Sequence, residues 1–132
     1  LKNENVVLIA AHPFYIKHSI GKKLYEHNKL FDAFEISHFY TRWFNPNKKT
    51  FSYAKKINKP LIASSDTHHK GQFNNNHFTM LDCEKNLDSV LEAIRKGKLE
   101  ISTRPISSFQ FLRTLTWITV SLLKKYDKEV TN

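Results

Sequence analysis

Pro60-Leu61-Ile62-Ala63-Ser64-Ser65-Asp66-Thr67-His68-His69 passes directly from an apolar run into a carboxylate and imidazoles. A short apolar run of this kind reads as a strand buried on both faces, as in parallel sheets. Two earlier stretches share its character: Val6 to Ala11 (VVLIAA) and Ala33-Phe34-Glu35-Ile36-Ser37. Successive runs start about 27 residues apart, room for a crossover helix between each pair. After Pro13, Ser19 is a candidate cap for a helix carrying Ile20, Leu24 and Phe31. Asn45-Pro46 is a second helix start, followed by Phe51, Ala54 and Ile57 on one face. The expectation is an α/β fold with parallel strands, open or curled into a barrel.

The later chain reads as shorter elements. Gly71 to Asn76 is polar and reads as a loop, and Phe78-Thr79-Met80-Leu81 as a short strand. Leu87, Val90, Leu91 and Ile94 form an amphipathic stripe, closed by Arg95-Lys96 and Gly97. Leu99-Glu100-Ile101-Ser102 alternates like an edge strand. Ser107 or Ser108 opens a last helix through about Lys125, too short and too polar for a membrane span of roughly 20 apolar residues. A helix docked over the domain's open end is preferred; an interfacial membrane helix or a subunit interface is the alternative. Residues 1–104 and 105–132 are thus expected to be a main domain and a helical extension packing on it.

Composition narrows the class. The chain has 132 residues, 40% hydrophobic and 25% charged, an ordinary globular balance. Three Gly and four Pro imply long elements, and ten Phe, five Tyr and two Trp imply an aromatic core. Net charge is 21 − 12 = +9. The lysines are scattered in pairs such as Lys22-Lys23 and Lys55-Lys56, which suits solvated helix faces better than a nucleic-acid stripe. Such a surface still attracts phosphorylated substrates. One cysteine, Cys83, excludes an internal disulfide and any zinc-finger spacing, and fits a reducing, cytoplasmic setting. The start Leu1-Lys2-Asn3-Glu4-Asn5 is no signal peptide, and without Met it suggests a piece of a longer protein.

In parallel α/β folds ligands bind beyond the C-terminal ends of the strands. The first strand delivers His12 there, the second Glu35, Ser37 and His38, the third Asp66, Thr67, His68 and His69. Residues i and i+2 of an extended segment point the same way, so Asp66 and His68 can converge on one ion. His69 faces the other way, as a supporting or exposed group. A lone His before Pro is usually structural and an isolated Asp-x-His is common, yet convergence at successive strand ends favours a metal site with His12, Asp66 and His68 as ligands. Imidazole and carboxylate without thiolate suit Zn, Mn or Fe. Glu35 is costly in an apolar strand unless partnered, so it faces either the site or water. Ser64 and Ser65 carry no nucleophile signature. His18, His27, His38 and His77 read as surface residues, His38 the least clearly.

Ala11-His12-Pro13-Phe14, Ala33-Phe34-Glu35-Ile36 and Ala63-Ser64-Ser65-Asp66-Thr67-His68, with the tail Leu91 to Lys98, resemble the C-terminal part of a PHP domain, the polymerase and histidinol phosphatase superfamily. The resemblance covers roughly residues 6–98. It implies a portion of a distorted (β/α)₇ barrel holding two or three divalent ions that activate water against a phosphoester. His12 matches the family's HP-motif ligand, Asp66 and His68 its SDxH ligands, and Glu35 a site-facing position that is not a standard ligand. The family's N-terminal H-x-H pair has no counterpart here, so the chain is expected to be a fragment or a degenerate remnant. The expected activity is metal-dependent hydrolysis of a phosphorylated small molecule or nucleotide by the intact protein. The alternatives are a non-catalytic module binding protein or nucleic acid and, more weakly, an amidohydrolase-like enzyme. Open strand edges further suggest a homo-oligomer or dependence on a missing half.

Overall fold

The computed structural model describes residues 6–15, 19–67 and 76–130, with side chains as far as Ser121. Its centre is a three-stranded parallel sheet of β1 (Ile9–Ala10), β2 (Ala33–Ile36) and β3 (Leu61–Ala63), in that spatial order. Helix α1 (Lys23–His27), continued by a 3₁₀ turn at Asn28–Leu30, connects β1 to β2. Helix α2 (Lys48–Lys56) connects β2 to β3. Ile9 and Ala10 pair with Ala33 and Phe34, while Phe34, Glu35 and Ile36 pair with Leu61, Ile62 and Ala63. An antiparallel ribbon follows, β4 (Phe78–Leu81) and β5 (Leu99–Ser102), with α3 (Leu87–Lys96) between its strands. Helix α4 (Ser108–Val130) completes the described chain. The expected α/β class with parallel strands is present, but no barrel closes among the described residues.

Both helical crossovers cover one face of β2. Phe34 is fully buried with Ala10, Leu24 and Ala54, and Phe14, Ile20, Phe31, Tyr53, Ile57 and Leu61 pack around them. Tyr53 stacks on Phe34 with ring centroids 6.0 Å apart and meets Phe14 and Tyr25 edge-on. Lys49 lies 4.7 Å from the Phe14 ring centroid, a cation–π contact that closes the cluster toward solvent. An aromatic core was expected from composition, and this is where it forms. Truncating a ring as enclosed as Phe34 typically costs about 3–5 kcal/mol.

The local signals were honoured unevenly. Asn86 caps α3 by accepting the Ser89 N–H at 2.9 Å, and Gly97 closes it in the left-handed region at φ 67°. A side chain at Gly97 would be strained there and would also meet Pro60 at 3.4 Å. Ser19 does not cap α1: the helix starts at Lys23 with no side-chain cap. Asn45 caps a turn earlier than α2 proper, its side-chain Oδ1 accepting the Asn47 N–H, and the helix begins at Lys48. The run Val6 to Ala11 is not buried on both faces. Val6, Leu8 and Ile9 are exposed, because β1 pairs only with β2 among the described residues.

Two devices join the parts. Asn47, itself buried, bonds to both backbone groups of Ser37: its Oδ1 accepts the N–H at 2.9 Å and its Nδ2 donates to the C=O at 2.8 Å. This continues the β2 ladder with a side chain and ties the start of α2 to the strand end. Thr79 does the same across the gap between the sheet and the ribbon, its hydroxyl meeting both the N–H and the C=O of Ala63. Asn47→Ala should therefore lower unfolding stability by about 2–4 kcal/mol, since it strands two buried backbone groups. Urea titration followed by circular dichroism measures this, and Asn45→Ala, at a less buried turn, should lose less.

Candidate functional site

His12 and Asp66 follow β1 and β3, the two strands flanking β2, so their side chains meet across the end of the middle strand. His12 Nε2 lies 3.8 Å from Asp66 Oδ2, each side chain about one-third exposed. Both residues have positive φ, 26° at His12 and 43° at Asp66. A non-glycine residue in that region costs of order 1–3 kcal/mol and persists only where its surroundings fix it. Of the three such residues described, two are the candidate ligands. The fixing is visible at His12. Pro13 is fully buried, its carbonyl accepts the Gly21 N–H at 2.7 Å, and Phe14 is held in the aromatic cluster.

Tyr15 joins them. Its ring stands edge-on to His12 at 5.7 Å and its hydroxyl donates to the Phe39 carbonyl at 3.0 Å. Burial pushes the hydroxyl up to about 12; a hydrogen bond with Ser37 pulls the other way, and the Asp66 charge adds to the rise. Tyr15 is therefore a neutral donor at any ordinary pH. The Ser37 hydroxyl accepts the Phe39 N–H, so strand end, tyrosine and histidine form one connected rim. An aromatic three residues after a histidine carries no recognisable signal, and the sequence did not point to it.

Beneath the rim, on the face of β2 opposite Phe34 and Ile36, lies Glu35. It is half-buried and accepts a hydrogen bond from the Ser64 hydroxyl at the end of β3. Its carboxylate is therefore partnered within the protein. Ser65 accepts the Thr67 hydroxyl at 3.0 Å. Two histidines expected at the surface are instead buried, His77 at 2% and His38 at 8% exposure. Their rings lie 6.1 Å apart, and His77 Nε2 bonds to the Ile36 carbonyl at 3.2 Å. His77 directly precedes β4, so its side chain is not part of the strand's own apolar pattern. Carried back one residue beyond β4, period two places His77 with Thr79 and Leu81 on the inner face. His27 is exposed, as expected. His18, His68 and His69 lie outside the described residues.

A metal ion suits the pair that is described. Two ligands each about 2.1 Å from one Zn²⁺ stand roughly 3–4 Å apart, which matches the His12–Asp66 separation. His12 Nδ1 has no hydrogen-bond partner among the described residues, which leaves the ring orientation to the backbone and Tyr15. No group of three potential ligands occurs among the described residues, the third expected ligand, His68, falling outside them.

Residues 44–99 match the model of a family described as PHP-associated. The match runs from just before α2 to the start of β5 and contains Asp66 and His68 but neither His12 nor Glu35. No curated protein and no solved structure matches the chain. No helix among the described residues is long and apolar enough to cross a membrane.

Burial holds the His77 pKa below 6.5, outweighing the Ile36 hydrogen bond and the Glu35 charge, which act in the other direction. With the folded value depressed, the unfolded chain binds the extra proton first, so stability falls as pH drops below about 6.5 and levels off below the folded value. His77→Phe should flatten that decline by up to about 1.4 kcal/mol per pH unit. Denaturant midpoints of both proteins between neutral and mildly acidic pH check it.

Proposed function

We propose, from a PHP-related region at residues 44–99, that the chain supplies part of a metal-dependent phosphoesterase site at the C-terminal rim of β1–β3. The carrying observation is the meeting of His12 and Asp66 across β2, both held at positive φ. His12 and Asp66, with His68 beside them in sequence, would hold divalent Zn, Mn or Fe ions in a portion of a (β/α)₇ barrel. When bound, such ions lower the pKa of a coordinated water and neutralise phosphoryl charge.

The other residues have separate tasks. Tyr15 fixes the His12 ring and keeps its own proton, so it presents no negative charge to an anionic substrate. Glu35, tied to Ser64, couples the ends of β2 and β3 and thereby the placement of Asp66. The charge of +9 draws a phosphorylated small molecule or nucleotide toward the rim.

His12→Ala and Asp66→Asn should each weaken Mn²⁺ or Zn²⁺ binding by about 10–100-fold, with a parallel loss of aryl phosphate hydrolysis. Calorimetric metal titration and a chromogenic phosphatase assay measure the two effects. Unchanged metal affinity in both variants would reject the site. Salt-sensitive nucleic-acid binding that survives in them would support a non-catalytic module instead.

A further inference from the structure

A cavity of about 540 Å³ opens at the end of β3 opposite the Asp66 rim, between α2 and the antiparallel ribbon. Three elements supply its apolar walls. Helix α2 gives Phe51, the start of β3 gives Leu61, and β5 gives Leu99 and Ile101, all half-buried. Residues two apart on a strand face the same way, so Leu99 and Ile101 look inward while Glu100 between them is exposed on the other face. Ile101 pairs with Thr79, whose hydroxyl grips Ala63. The ribbon is thus held against β3 at Ala63, and the cavity lies where it passes Leu61. Small-ligand sites have volumes of about 300–1,000 Å³ and are mostly apolar, with a few placed polar groups.

The chemistry of the lining selects among ligands. Lys55 lies one turn after Phe51 on α2 and is exposed. Lys59, half-buried, is fixed in place by donating to the Phe31 carbonyl. No carboxylate lines the cavity, and beyond the two ammonium groups its only side-chain hydrogen-bonding group is the Ser52 hydroxyl. A cationic ligand meets like charge there. A sugar or a nucleobase would leave polar atoms unpaired against apolar walls, which is costly. A hydrocarbon chain with one anionic end leaves nothing unpaired, since the chain takes the walls and the anion takes the lysine.

We propose that this cavity binds a medium-chain carboxylate, its hydrocarbon against Phe51, Leu61, Leu99 and Ile101 and its head group at Lys55. The described residues bound the cavity throughout. It lies at the other end of β3 from Asp66, so the assignment does not rest on the phosphoesterase reading.

Decanoate, hexanoate and decyltrimethylammonium are titrated separately into the full chain and followed by calorimetry. The expected result is one saturable decanoate site, weakening about fourfold for each methylene removed, and no saturable site for decyltrimethylammonium. Lys55→Glu should weaken decanoate about tenfold, because repulsion replaces attraction at an exposed position. Ser52→Trp, which places an indole at the mouth, should weaken it at least as much. Circular dichroism identifies a variant that fails to fold; both positions are exposed on α2, so either variant alone keeps the test decisive. Decyltrimethylammonium binding as tight as decanoate, no saturable decanoate binding, or full affinity in the folded variants overturns the proposal.

Discussion

The side-chain amide of Asn47 is the contact on which the rest of the site depends. A parallel strand must end somewhere, and its last N–H and C=O lose their ladder partners when it does. Water or a side chain must take them, because a buried backbone group left alone costs about 1–3 kcal/mol. At β2 one asparagine takes both, and as the residue before α2 it sets where that helix starts. Ser37 is thereby held, Phe39 is placed by the Ser37 hydroxyl, and Tyr15 is placed by the Phe39 carbonyl. A chain of four hydrogen bonds thus runs from a helix start to the ring beside His12.

That chain explains how two strained residues coexist at one rim. Positive φ at His12 and Asp66 works against folding, and a flexible loop would relax it. Each lies two or three residues beyond a sheet strand instead, and the turn carrying His12 is wedged by Pro13 and Phe14 against α1 and α2. The cost is carried by the aromatic core. Core packing and site geometry are therefore one problem in this protein, and a change at Tyr53 or Phe14 reaches the rim through its supports.

Much of this was legible in the sequence, for identifiable reasons. β2, β4, β5 and α3 stood out because their apolar spacing and caps agree with their tertiary surroundings. Asp66 stood out because an apolar strand leads straight into it. The Val6–Ala11 run misled because continuous apolarity says that residues seek cover, not that they find it, and only Ile9 and Ala10 pair in β1. Ser19 misled because a capping residue type is not a cap until the chain beyond it turns helical. His77 and His38 were read from polarity alone, whereas a neutral imidazole is readily enclosed when a carbonyl such as that of Ile36 accepts its proton. The part played by Tyr15 lies wholly in three dimensions.

The Thr79 hydroxyl at the seam between sheet and ribbon has a consequence for how the molecule divides. Ladder rungs come in series, each strengthening its neighbours, whereas this join is made by separate side chains: Thr79 on Ala63, His77 on the Ile36 carbonyl and Arg95 on the Val6 carbonyl. On its two sides lie a parallel sheet packed by helices and a ribbon whose strands are joined through α3. A load along the chain would meet these few stitches before the ladders, as cloth gives along a seam. Ala63 lies three residues before Asp66, so the stitch also carries strain between the ribbon and the rim.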